Sequence, residues 1–180
     1  ATVAGDLSQA WRATLGGKLS QPVVGYGKLF VAQVDAHMIH ALDLESGQPA
    51  WQFVAGGRID SPPTLHDGMV LFGAMDGRIY CLRASDGALV WNYLAAPSDK
   101  RVGHFDQLAS AWPVSGSVLL NDGIAYAAAG RSTYLDGGIR LVGLDPATGA
   151  LRHEGNLAGP FPDIETGDRE VGFYIEGANV

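Results

Sequence analysis

The chain has 180 residues, of which 47% are hydrophobic and 17% charged, and its formal net charge is −7. Such a composition supports a globular core and excludes a disordered segment. The acidic balance excludes the basic stripe that wraps nucleic acid, and no stretch approaches the ~18 apolar residues of a membrane-spanning helix.

Taken in chain order, the elements repeat. Trp11 marks one strand ahead of the first full unit, and Trp51 and Trp91 follow at intervals of 40 residues. Residues 16–51 align without a gap with residues 56–91, so that Pro22 matches Pro62, Leu42 matches Leu82 and Gly47 matches Gly87. A third copy closes on GIRLVGLDPATGALR, with Gly149 in the place of Gly87. The step from Gly87 to Gly149 is 62 residues against 40 before it, so the third unit carries about 22 extra residues.

A period near 40 residues fits helical arrays and four-stranded propeller blades alike. The local pattern decides for strands. KLFVAQV, MVLFGA, RIYCL, GIAYAAAG and IRLVGL are short apolar runs. Asp67-Gly68, Asp76-Gly77, Asp86-Gly87 and Asp122-Gly123 punctuate them, and glycine there supplies the positive φ of tight turns. The expected fold is all-β, a partial β-propeller of about three four-stranded blades plus flanking strands. The blades fall at about 18–54, 58–94 and 95–156, with an incomplete tail at 157–180. Inner runs such as 69–74 and 124–129 should be apolar on both faces, because they lie between neighbouring sheets. Trp11, Trp51 and Trp91 are the structural keystones, large indoles filling the gaps between blades. The fourth keystone position holds His153.

Single residues are read against the repeat. Cys81, the one cysteine, makes an intrachain disulfide impossible; it takes the place of Ala41 and reads as buried filler. Asp35, His37 and His40 can be drawn as a metal cluster. His37, however, aligns with Gly77 at a turn and His40 with Tyr80 in a strand, and metal sites gather three or four convergent ligands. No metal site is assigned. Neither a phosphate loop nor a nucleophile elbow nor a zinc-protease motif is present, and no catalytic residue is assigned.

The recurring G-x-[IL]-x-x-P … [AC]-L-x-x-x-[STD]-G-x-x-x-W resembles the repeat of pyrroloquinoline-quinone-binding-like β-propellers, over about residues 8–156. That superfamily includes quinoprotein alcohol dehydrogenases and the propeller lipoprotein of the outer-membrane β-barrel assembly machine. AGGRIDSPPT, QLASAWPVSGSVLL and AAGRSTYLDGGIRLVGLDPATG also resemble large, planctomycete-like bacterial propeller proteins. The resemblance implies architecture and export, to the periplasm or the extracellular space. No signal peptide is visible, and ATVAG reads as a mature or an internal start. For quinoprotein dehydrogenases it implies pyrroloquinoline quinone and Ca²⁺, held by Glu, Asn and Asp oxygens, with an Asp base and often a vicinal disulfide. One cysteine cannot make that disulfide, so quinone and Ca²⁺ are expected only in a completed ring.

Three blades leave apolar faces open at both ends of an arc. The chain is therefore expected to be a segment of a longer polypeptide, or to associate with copies of itself. The extra residues, about 95–117, are where binding groups are expected, because insertions in propellers decorate one rim. Arg101, His104, Asp106, Gln107 and Trp112 form the first candidate set, with Trp112 as a platform for a carbohydrate or other polar ligand. Arg131, Tyr134 and Asp136, in the turn at 130–138, form the second; Arg131 can pair with Asp136, or either can face the axial channel. Two functions follow: a non-catalytic scaffold or binding module for protein or carbohydrate partners within a larger exported protein, or part of a quinoprotein-type oxidoreductase.

Overall fold

Strand runs separated by tight turns fold here into successive antiparallel sheets. The computed structural model describes residues 8–104 and 106–159. The first sheet comprises β1 (Val23–Gly25), β2 (Lys28–Gln33), β3 (Met38–Asp43) and β4 (Pro49–Val54). The second comprises β5 (Thr64–His66), β6 (Met69–Gly73), β7 (Arg78–Arg83) and β8 (Leu89–Leu94). A two-stranded hairpin follows, β9 (Arg101–His104) and β10 (Gln107–Ser110). The last sheet comprises β11 (Leu119–Asn121), β12 (Ile124–Ala129), β13 (Ile139–Leu144) and β14 (Leu151–Leu157). Each four-stranded sheet pairs its strands in sequence order, so each is a meander and one propeller blade.

The turns divide into two kinds. Between β1 and β2, and at the equivalent sites of the later blades, both turn residues have positive φ: Tyr26-Gly27, Asp67-Gly68 and Asp122-Gly123. That is the type I′ geometry matched to strand twist. In Asp76-Gly77 and Asp86-Gly87 only the glycine has positive φ, so these close wider turns. His37 stands in the left-handed region with φ 58°, which explains its alignment with Gly77.

The core lies between the blades. Phe30, Ala32, Ile39 and Ala41 of the first pack against Val70, Phe72, Tyr80 and Leu82 of the second. Leu71, Ile79 and Cys81 of the second pack against Ala125, Ala127, Val142 and Leu144 of the third, joined by Val114 and Val118 of the insertion. Cys81 is fully buried there, and burial pushes its thiol up to about 12. β6 is thus apolar on both faces, as expected. β12 alternates, with Ile124, Tyr126 and Ala128 only half-buried, because nothing among the described residues covers the far face of the third blade. Leu141 shows the same effect: it is 39% exposed, whereas Ile39 and Ile79 at the equivalent positions are covered by the next blade.

One seam geometry occurs three times. Trp11, Trp51 and Trp91 lie against Gly47, Gly87 and Gly149 of the blade that follows. A Cβ at those glycines would stand 2.5, 2.6 and 2.7 Å from the indole, so only glycine admits the ring. Each indole Nε1 donates to the carbonyl three residues before its glycine: Leu44 at 2.9 Å, Ala84 at 3.0 Å and Pro146 at 3.0 Å. Trp51 and Trp91 belong to β4 and β8, but Trp11 lies outside any strand. Docking therefore depends on the indole and the turn, not on a completed outer strand. His153 sits opposite Gly143 in the register, as Trp51 sits opposite Ala41, and stacks on Tyr126 of its own blade at 6.0 Å.

Candidate functional site

Antiparallel order places the β2–β3 turns and the connections leaving β4 and β8 at one end of every blade. The insertion leaves β8, so it must lie at that end, beside the turns at 34–37, 74–77 and 130–138. It acts as a strap. Gln107 Oε1 meets His37 Nε2 of the first blade at 2.8 Å, across 70 residues of chain. Ser110 N and Val114 N donate to Met75 O (2.6 Å) and Ala74 O (3.1 Å) of the second blade. Lys100 pairs with Asp136 at 2.5 Å, and Gly130 N donates to Pro113 O at 3.0 Å, in the third.

The strap divides the candidate residues into two groups. His104, Asp106 and Gln107 surround a shallow depression at the hairpin tip, with Leu108 alongside at 66% exposed. Asp106 takes φ 60° at the turn. Burial, then the cations Arg131 and Arg58, hold the His104 imidazole below its ordinary range, against the opposing pull of Asp60. Arg58 is itself bound to Asp60 at 2.7 Å and to Asp35 at 3.5 Å. Arg101 does not line the depression and meets Asp99 at 3.2 Å.

The second group gathers at the rim of the seam between the second and third blades. Trp112, which packs on the inter-blade core, donates from Nε1 to Asp136 O at 2.9 Å. Both line a groove of about 500 Å³ with Pro97, Arg140, Glu154 and Asn156. Arg131 lies between the groups, its Nη2 donating to Ser110 O at 3.1 Å; burial lowers its pKa. The carboxylate of Asp136 is taken by Lys100, not by Arg131, so the pairing expected within the turn is replaced by one to the strap. Tyr134 is half-buried in the same turn, where its backbone N–H meets Ser132 Oγ at 3.2 Å.

Sequence reasoning missed Arg140, Glu154 and Asn156. A signal existed: Arg140 and Glu154 repeat, at the same separation of 14 residues, the Arg78–Asn92 pair of the second blade. Asp35, His37 and His40 do not converge: His37 meets Gln107, and His40 Nε2 meets Gln33 Oε1 at 2.9 Å. Among the described residues no three His, Cys, Asp or Glu side chains come together as a metal site. No helix among them is long and apolar enough to cross a membrane.

Comparison with known proteins agrees with this architecture. The family model described as outer membrane protein assembly factor BamB matches residues 4–172. The assembly factor BamB of Yersinia pestis is 36% identical over 73 residues, covering 41% of this chain and 19% of that protein. The crystal structure of BamB from Moraxella catarrhalis superimposes with a TM-score of 0.56 at 26% identity, over 76% of this chain and 40% of that one. A quinohemoprotein alcohol dehydrogenase from Pseudomonas putida HK5 superimposes with a TM-score of 0.64 at 17% identity, over 76% of this chain and 20% of that one, which speaks to fold alone. The match spans about a fifth of the length of curated relatives such as the Yersinia pestis protein. With the repeat, the blades and the indole seams in agreement, it belongs to the pyrroloquinoline-quinone-like β-propeller family whose model is described as outer membrane protein assembly factor BamB.

Proposed function

We propose that this chain is part of a non-catalytic β-propeller scaffold, within a larger protein exported to the periplasm or beyond the cell, that binds a protein partner at the strapped end. The observation that carries the reading is the strap itself. Its hydrogen bonds and ion pair reach all three blades and hold His104, Asp106, Gln107 and an exposed Leu108 on a rigid base. A preorganised surface loses little entropy on binding. Membership of a family described by an outer-membrane assembly factor supports both the binding role and the export. The quinoprotein reading has fold likeness alone in its favour.

The test is site-specific photocrosslinking in the native cell. A photoreactive residue at Leu108 should yield one discrete protein adduct, and the same residue at Leu89, exposed on the outer strand β8, should not. Equal labelling at both positions, or none at 108, would remove the strap as the docking surface.

A further inference from the structure

The groove at the rim of the seam between the second and third blades lies apart from the depression at the hairpin tip. We infer that it binds a short, uncharged oligosaccharide, with Trp112 as the stacking platform. The inference does not rest on the proposed protein-binding role, since the groove is lined by none of His104, Asp106, Gln107 and Leu108 and is tested by a separate assay.

Trp112 is fixed before any ligand arrives. One part of the indole packs on the core between the blades, and Nε1 is committed to Asp136 O at 2.9 Å. Trp112 is the one aromatic side chain among the groove's lining residues, and the π-face of an indole matches the C–H face of a pyranose. Pro97 extends that apolar surface. The same lining carries planar polar groups already held by hydrogen bonds. Asn156 Nδ2 donates to Gly137 O at 3.0 Å, which turns the amide and leaves Oδ1 as an acceptor. Arg140 grips Glu154 through Oε1 from both Nε and Nη2, at 2.8 Å each, and leaves Oε2 as a second acceptor. Arg140 is held in turn by Nη1 donating to Ala95 O at 3.1 Å. Fixed acceptors around a fixed aromatic face suit a ligand made of hydroxyl donors on an apolar ring.

The charges select the sign of the ligand. Lys100 and Arg140 are matched by Asp136 and Glu154, pair for pair, so the groove has no net charge to attract an acidic or a basic ligand. The volume, about 500 Å³, falls within the ~300–1,000 Å³ of small-ligand clefts. The cleft is open along the rim, which suits a chain of sugar units better than one enclosed monosaccharide.

The experiment titrates the protein with maltotetraose, cellotetraose and chitotetraose, and with tetragalacturonate as the charged comparison, following tryptophan fluorescence and calorimetry. At least one neutral tetrasaccharide should bind saturably with Kd on the order of 0.1–1 mM. Asn156→Ala and Glu154→Gln, both at exposed positions, should weaken it about tenfold, the cost of about one hydrogen bond. Trp112→Ala should abolish it; because that variant also loses packing, the two polar variants carry the result if it unfolds. The inference is overturned if no neutral tetrasaccharide binds up to about 10 mM, if Asn156→Ala and Glu154→Gln bind as the parent does, or if tetragalacturonate binds more tightly than every neutral sugar.

Discussion

Replacing Gly87 by alanine tests the seam between the first two blades. Gly87 has φ 75°, and an added Cβ would lie 2.6 Å from Cδ2 and Cε3 of Trp51. Gly68 is a matched control: its φ is also 75°, but its Cβ would meet nothing within 4 Å. Gly68→Ala should cost only the left-handed strain of an L-residue, about 1–2 kcal/mol, offset in both variants by the same gain in unfolded-chain entropy. Gly87→Ala adds the displacement of the indole. That loses the Nε1 bond to Ala84 O, about 1 kcal/mol, and part of the ring's packing. Removing the ring entirely costs ~3–5 kcal/mol, which sets the ceiling. A surplus of about 2 kcal/mol is expected over Gly68→Ala, or about 1 M in urea midpoint at a slope of ~2 kcal/mol/M. Urea unfolding followed by far-ultraviolet circular dichroism measures it without relying on the tryptophan signal. Equal midpoints for the two variants would refute the indole-on-glycine seam.

Three other outcomes follow. His40 is buried, its Nδ1 has no hydrogen-bond partner and burial lowers its pKa; the folded protein holds it neutral while the unfolded chain takes up the proton. Stability should be full above the ordinary 6.5 and fall as pH drops below it; because burial also lowers His104, the readout is the reduced slope of His40→Gln in pH-dependent urea titrations. Cys81, fully buried with its thiol raised to about 12, should resist a disulfide reagent in the native protein and react at once in denaturant. Gln107→Ala removes the 2.8 Å bond to His37; hydrogen exchange should quicken over 101–110 while the strands of the second blade stay protected, for a loss of about 0.5–1.5 kcal/mol.

The fold was legible because the repeat is carried by residues with one job each. Glycine four residues before tryptophan marks the outer turn at Gly47 and Gly87, Gly149 repeats it ahead of His153, and Asp-Gly marks the inner hairpins at 67–68 and 122–123. The candidate site was half legible. An insertion announces itself as excess length, and strand direction fixes the end at which it lies. Its path does not follow from length. That Gln107 reaches back to His37 while Lys100 reaches forward to Asp136 is set by packing over the second blade. Trp112 was legible as the aromatic member of the insertion's cluster; Arg140 and Glu154 were not, because in a single strand each reads as an ordinary exposed charge. Only pairing across β13 and β14 joins them.

The seams also have a direction. Each indole seats on the blade that comes after it, never on the one before: Trp11 on Gly47, Trp51 on Gly87, Trp91 on Gly149. On the ribosome, Trp51 is made 36 residues before its seat. A newly finished blade therefore waits, with its wedge exposed, until most of its successor has emerged. Damage runs the opposite way, since a lost glycine releases the preceding blade and leaves the following seam intact.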